Sequence, residues 1–137
     1  MASELKVNKL TGVTTAGSIS VTGEGNSTTT NLQQGLCKAW GHLNYSTGSF
    51  ADSFNNSSAT DFQAGSFNHN FTNAFANSSY SISGSHNLPS GNTASIVIGF
   101  DDSTRMTTSS VNVASFNANS GRVDATKVCT KVMGDLA

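Results

Sequence analysis

From residue 44 onward, apolar residues recur at every second position in short runs, with no helical stretch between the runs. Phe67, His69 and Phe71 alternate with Asn68, Asn70 and Thr72, and Tyr80, Ile82 and Gly84 alternate with serines. Ile96, Ile98 and Phe100 share one face with Val97 on the other, which predicts a central strand. Val111 and Val113 follow, and then Val128, Thr130 and Val132 stand against Cys129 and Met133. Turn chemistry separates the runs at Ser90-Gly91, at Asp101-Asp102-Ser103 and at Asn119-Ser120-Gly121. A period of two is the strand period, so this stretch predicts an antiparallel β-sandwich or jelly-roll-like head over residues 44–137. The chain as a whole is expected to be mainly β.

Composition decides which partners such a head can have. Ser, Thr, Asn and Gly make up 66 of the 137 residues, charged residues are 11%, and the net charge is −1. Seven Lys and Arg over the whole chain do not supply the basic face that phosphate neutralisation needs, so nucleic acid is not an expected partner. The usual helix formers are too scarce for a bundle. Disordered chains combine low hydrophobicity with high charge, whereas this one is 36% hydrophobic with eight Phe. No apolar run after Met1 reads as a signal peptide and none approaches the length of a membrane span, so no membrane insertion is expected. Cys37 and Cys129 are accordingly expected to be reduced and buried as small hydrophobes in a protein made in a cytoplasm.

Residues 1–30 read as extended and thin. Leu5 and Val7, then Ile19 and Val21, alternate between turn signals at Thr11-Gly12, Ala16-Gly17 and Thr22-Gly23. These apolar residues are too few to build a core within one chain, and the simplest cover for them is another copy. A capping box at Thr30-Asn31-Leu32-Gln33 then predicts a helix. Leu32, Leu36, Ala39 and Leu43 follow at coiled-coil spacing, Trp40 stands beside that seam, and Gly41 sits where a C-cap would. Such a helix can pack on its own β-domain or form a neck shared between chains. The chain thus divides into an attachment segment with a helical neck, 1–43, and the head, 44–137.

Residues able to do chemistry are sparse. Glu4 and Glu24 are the only glutamates, so a glycosidase pair would have to come from Asp52, Asp61, Asp101, Asp102, Asp124 and Asp135. The adjacent Asp101-Asp102 reads as a turn whose side chains bond their own backbone. His42, His69 and His86 have no second ligand at metal spacing, and His69 shares the face of Phe67 and Phe71 as a core or interface histidine. No Gly-x-Ser-x-Gly elbow is present, and Gly23-Glu24-Gly25 is not continued into a phosphate-binding loop. No catalytic residue, cofactor or metal is expected. Tyr45, Tyr80 and Trp40 are the aromatics that could stack on sugar rings, with a core role as the simpler reading.

Several segments together carry a resemblance. They are Leu5-Lys6-Val7-Asn8-Lys9-Leu10, then Gly17 to Gly25, and then Ser27 to Leu36 running on to Lys38-Ala39-Trp40. Asp52-Ser53-Phe54-Asn55, Phe71-Thr72-Asn73-Ala74, Tyr80-Ser81-Ile82-Ser83-Gly84 and the terminal Gly134-Asp135-Leu136-Ala137 continue it. The chain resembles short tail fibre or tail appendage proteins of marine bacteriophages, most specifically in its first forty residues. It departs from them over 62–70, and 85–120 match only in character. The resemblance implies a homotrimeric virion protein, without catalytic residues to carry over, that is involved in attachment to a host-surface polysaccharide or protein. Residues 1–26 would dock onto a larger virion protein, and Leu32, Leu36, Ala39, Trp40 and Leu43 would form the trimer neck. A capsid or tail decoration protein is the structural alternative, and a polysaccharide-degrading spike is a remote one.

Overall fold

The computed structural model describes residues 4–12, 19–23, 28–88, 94–99, 105–119 and 121–137. The chain divides into two compact units, Met1–Leu36 and Cys37–Ala137. In the first, β1 (Ser20–Thr22) pairs antiparallel with β2 (Thr29–Asn31), which runs into the single-turn helix α1 (Leu32–Gly35). Asn31 caps α1, its side-chain oxygen accepting from the amides of Gln33 at 2.8 Å and Gln34 at 3.3 Å. None of the described residues of this unit is buried.

The second unit holds two four-stranded antiparallel sheets. Its strands are β3 (Ala39–Asn44), β4 (Ser49–Phe54), β5 (Asn56–Gln63), β6 (Ser66–Phe71), β7 (Ser81–Asn87), β8 (Ala94–Gly99), β9 (Ser110–Asn117) and β10 (Lys127–Met133). One sheet has the order β4-β3-β10-β7 and the other β5-β6-β9-β8. The inner faces share one core, to which β3 contributes Ala39 and Leu43, β10 contributes Val128 and Val132, β6 contributes Phe67 and Phe71, and β9 contributes Val111 and Val113. Alternation along β10 is complete: Val128, Thr130 and Val132 are buried while Lys127, Cys129, Lys131 and Met133 are exposed. Phe71, Phe75 and Tyr80 close one end of the core, with ring centroids 4.7–5.8 Å apart.

The expected helix over the neck is replaced by α1 and then a strand. Ala39 and Leu43 lie in β3, fully buried in the core, so they are not seam residues of a helical neck. Leu32 lies in α1, Leu36 is its C-cap and 52% exposed, and Trp40 is on the outer face of β3. Gly41 is not a helix cap but a strand residue in register with Thr130 of β10. Helix and strand share this pattern, since a spacing of four keeps two residues on one face of either. Gly35 and Gly41 each disfavour a helix by about 1 kcal/mol, and β10 offers six paired positions instead. The unit boundary therefore falls after Leu36 rather than after residue 43, because β3 belongs to the head's own sheet.

Two further expectations change. The apolar run at 96–98 forms β8, an edge strand beside β9 and not a central one; an apolar run reports side-chain character, while the place in a ladder depends on which backbones meet. Cys37 and Cys129 are free, but Cys129 is exposed on the outer face of β10. The faces of Ile96, Val97 and Ile98, the turns at Ala16-Gly17, Ser90-Gly91 and Asp101-Asp102-Ser103, and the positions of Glu24, Phe100 and Ser120 lie outside the described residues.

Two sharp turns need glycine or asparagine. Gly65, between β5 and β6, has φ +70°, and a Cβ there would lie 2.7 Å from the Val123 amide nitrogen. Gly65→Ala is expected to cost about 1–3 kcal/mol, read as a fall in the denaturant midpoint; Gly48→Ala, at φ +61° but meeting only the Phe67 ring at 3.5 Å, should cost less. Leu43→Ala should destabilise the head by about 2–5 kcal/mol, whereas Leu36→Ala should stay within about 0.5 kcal/mol in the same denaturation experiment.

Candidate functional site

The two tyrosines singled out for sugar stacking are both core residues. Tyr45 is 7% exposed, with its ring edge-on to Phe67 at 4.5 Å. Its hydroxyl is enclosed without a hydrogen-bond partner, and burial, reinforced by the Asp124 and Asp61 carboxylates, pushes its pKa well above the ordinary tyrosine value. Tyr80 is equally buried, its hydroxyl 3.0 Å from the carbonyls of both Thr107 and Ser110, and burial pushes it up to about 12. Neither ring presents a face to a ligand. Trp40 does reach the surface: it lies on the outer sheet face, in register with Phe54 of β4 on one side and Lys131 of β10 on the other.

Among the described residues of the head, two further groupings involve a histidine. On the outer face, Asp52, His42 and Cys129 occupy register-matched positions on β4, β3 and β10. No group of three His, Cys, Asp or Glu among the described residues is arranged to hold a metal ion. Between the sheets, His86 Nδ1 lies 2.6 Å from Ser115 Oγ. Ser115 is fully buried, so this pair cross-links β7 to β9 and its hydroxyl is closed to an outside substrate.

A concave polar surface does exist, where the two sheets meet edge to edge. β4 and β5 belong to different sheets and are joined by Asn55 alone, at φ 57°. Asparagine tolerates this left-handed conformation, and here its side chain also ties the corner down. Its Nδ2 donates to the carbonyls of Lys38 at 3.0 Å and Asn73 at 3.1 Å, while its Oδ1 accepts from the Asn73 amide at 2.7 Å. Between the two strands opens a cleft of about 390 Å³, lined by Ser49, Phe50, Ser53, Asn56, Ser57 and Ser58 with Gly48 and Ala59. Gly41 makes room for two of the lining side chains, because a Cβ there would lie 2.5 Å from the Phe50 ring and 3.2 Å from Asn56 Nδ2.

Next to two of the lining residues, Phe50 and Ala59, is His69, 1% exposed, as its place between Phe67 and Phe71 led one to expect. Its ring meets Phe50 edge-on with centroids 5.0 Å apart, and it pairs in register with Ala59. Nδ1 is 3.4 Å from Thr130 Oγ1, whereas Nε2 is buried without a partner. Desolvation pulls its pKa from 6.5 to about 4, which keeps the imidazole neutral at pH 7. The residues that build this cleft were not legible as a site: the stretch 49–58 shows only mixed serines, asparagines and phenylalanines until β4 and β5 are brought together. The chain matches no known family model, no curated protein and no solved structure.

A buried neutral histidine makes stability depend on pH in a definite direction. The unfolded chain takes up a proton below pH 6.5 and the folded chain does so only near pH 4, so acid favours unfolding across that window. Stability is expected to be complete above pH 6.5 and to fall by up to about 1.4 kcal/mol per pH unit on the way to pH 4. Urea midpoints of the native protein and of His69→Phe, taken through that range, check this; the variant should lack that part of the slope.

Proposed function

We propose that this chain is a phage virion component, a homotrimeric tail fibre or tail appendage subunit whose head takes part in attachment to the host surface. The observation that carries the proposal is the state of the N-terminal unit. Leu5, Val7, Leu10, Val21 and Leu36 are 51–81% exposed, and none of the unit's described residues is buried. A β-ribbon with one helical turn and no interior is not independently stable in water, so these side chains call for cover from other chains. A larger virion protein, reached through residues 1–26, and sister copies of this chain are the partners that the tail-fibre resemblance of the same residues suggests.

Contact between copies is assigned to the exposed N-terminal residues and not to a helical neck. The head is read as jelly-roll-like, since its first strand pairs with its last, β3 with β10, and β6 pairs with the penultimate β9. A polar head with few charges, repeated three times, suits many weak contacts to a surface, because linked sites raise effective concentration.

Light scattering of the purified protein tests the proposal. Three copies of the 14.2 kDa chain give about 43 kDa, and the double variant Val21→Asp/Leu36→Asp should fall to the single-chain mass while keeping the folded head's spectrum, because unpaired charges in a contact are costly. A native mass near 14 kDa would overturn the trimer and favour decoration of a larger lattice. Gold-labelled antibody on intact particles places the protein, and a labelled capsid with a bare tail would overturn the tail assignment.

A further inference from the structure

We propose that the cleft between β4 and β5 binds a neutral, hydroxyl-rich ligand, namely one or two sugar units of an uncharged glycan. This deepens the attachment reading by naming the chemistry that the head would recognise, and it rests on that reading for its biological meaning. The cleft's volume of about 390 Å³ is within the range of small-ligand sites. It is lined by Ser49, Ser53, Ser57, Ser58 and Asn56, residues that carry hydroxyls and an amide, together with the apolar Phe50 and Ala59. None of these groups is charged, so nothing there would offset the desolvation of an anionic or cationic ligand. Hydroxyls and amides both donate and accept, which matches the alternating donor and acceptor character of sugar hydroxyls.

Part of this polar capacity is fixed in place and unused. Asn56 Nδ2 donates to the carbonyls of Trp40 at 2.7 Å and Phe54 at 3.3 Å, which orients the amide and leaves Oδ1 without a partner among the described residues. Ser53 Oγ likewise has no partner there, while Ser57 Oγ donates to the Asn70 carbonyl at 3.1 Å and Ser58 Oγ accepts from Asn70 Nδ2 at 3.0 Å, which holds β5 in place. Groups held on strands in this way are preorganised and lose little freedom on binding.

An independent observation points to the same place. His69 carries a buried ring nitrogen with no partner, and two of its neighbours, Phe50 and Ala59, line the cleft, the others being Val111 of β9 and Thr130 of β10. An unsatisfied buried polar atom is unusual in a native fold and asks for an explanation. A ligand hydroxyl entering between Phe50 and Ala59 supplies the partner that Nε2 lacks.

Saturation-transfer NMR on the full-length protein tests this, with maltohexaose, cellohexaose, mannohexaose and chitohexaose as neutral probes and oligogalacturonate as the anionic one. At least one neutral probe should show transfer, and Ser53→Phe, which fills the cleft, should weaken its binding at least about tenfold with the thermal midpoint kept. Should Ser53→Phe fail to fold, Ser49→Leu at the exposed rim closes the same mouth and is expected to act alike. No transfer from any neutral probe at millimolar concentration overturns the proposal, as does binding of oligogalacturonate alone. Binding that survives the filled cleft but is lost in Trp40→Ala overturns it too, by placing the glycan on the outer sheet face. A trimer found on the virion tail that binds none of these sugars overturns the cleft and leaves the appendage reading standing; sugar binding by a protein absent from purified particles does the reverse.

Discussion

The head depends on a single left-handed residue. Asn55 carries the chain from one sheet into the other in one step, and its side chain bonds to the backbone at Lys38 and Asn73 on either side of the corner. Because the link has no slack, β4 and β5 must run as neighbouring edges of two different sheets. That arrangement lays the Phe50 ring over Gly41, sets it edge-on to His69, and leaves the polar cleft between the strands. An L-residue with a longer or branched side chain would meet the steric cost of positive φ without the compensating carbonyl and amide contacts.

A second constraint is the polarity of the interior. Ser66, His69, Asn112, Ser115 and Thr130 are buried beside the valines and phenylalanines. Most are paired: Ser66 Oγ donates to Asn112 Oδ1 at 2.9 Å, Asn112 Nδ2 donates to Asn68 Oδ1 at 2.8 Å, and Ser115 meets His86. A chain so rich in Ser and Asn must bury some of them, and it does so by linking neighbouring strands through their side chains. Such pairs add little net stability but penalise a slipped register, since a one-residue shift would leave every partner unsatisfied in the core.

Legibility differed from element to element for physical reasons. β6 and β10 could be read from residues alone, because Phe67, His69 and Phe71, and Val128, Thr130 and Val132, alternate with polar residues on strands that have one solvated face. β3 could not, because Ala39 and Leu43 are four apart and four is nearly a common multiple of both periods. Only the partner, β10, discriminates there, and it lies some ninety residues away. Tyr45 and Tyr80 illustrate the same limit for function: an amphipathic aromatic reads alike whether it faces a ligand or a core.

The amino-acid sequence by itself determined a β-rich chain poor in charged residues, an N-terminal segment too poor in apolar residues to cover itself, and the inward faces of the regular strands. These are local properties of composition and period, which no distant partner needs to complete. Tertiary structure alone decided the strand identity of residues 39–44, the edge position of β8, the burial of both tyrosines and the existence of the cleft. Each of these depends on which strands meet across the sheets, a choice made by long-range backbone pairing and by the corner at Asn55, and such pairing leaves no mark in the residues of any one segment.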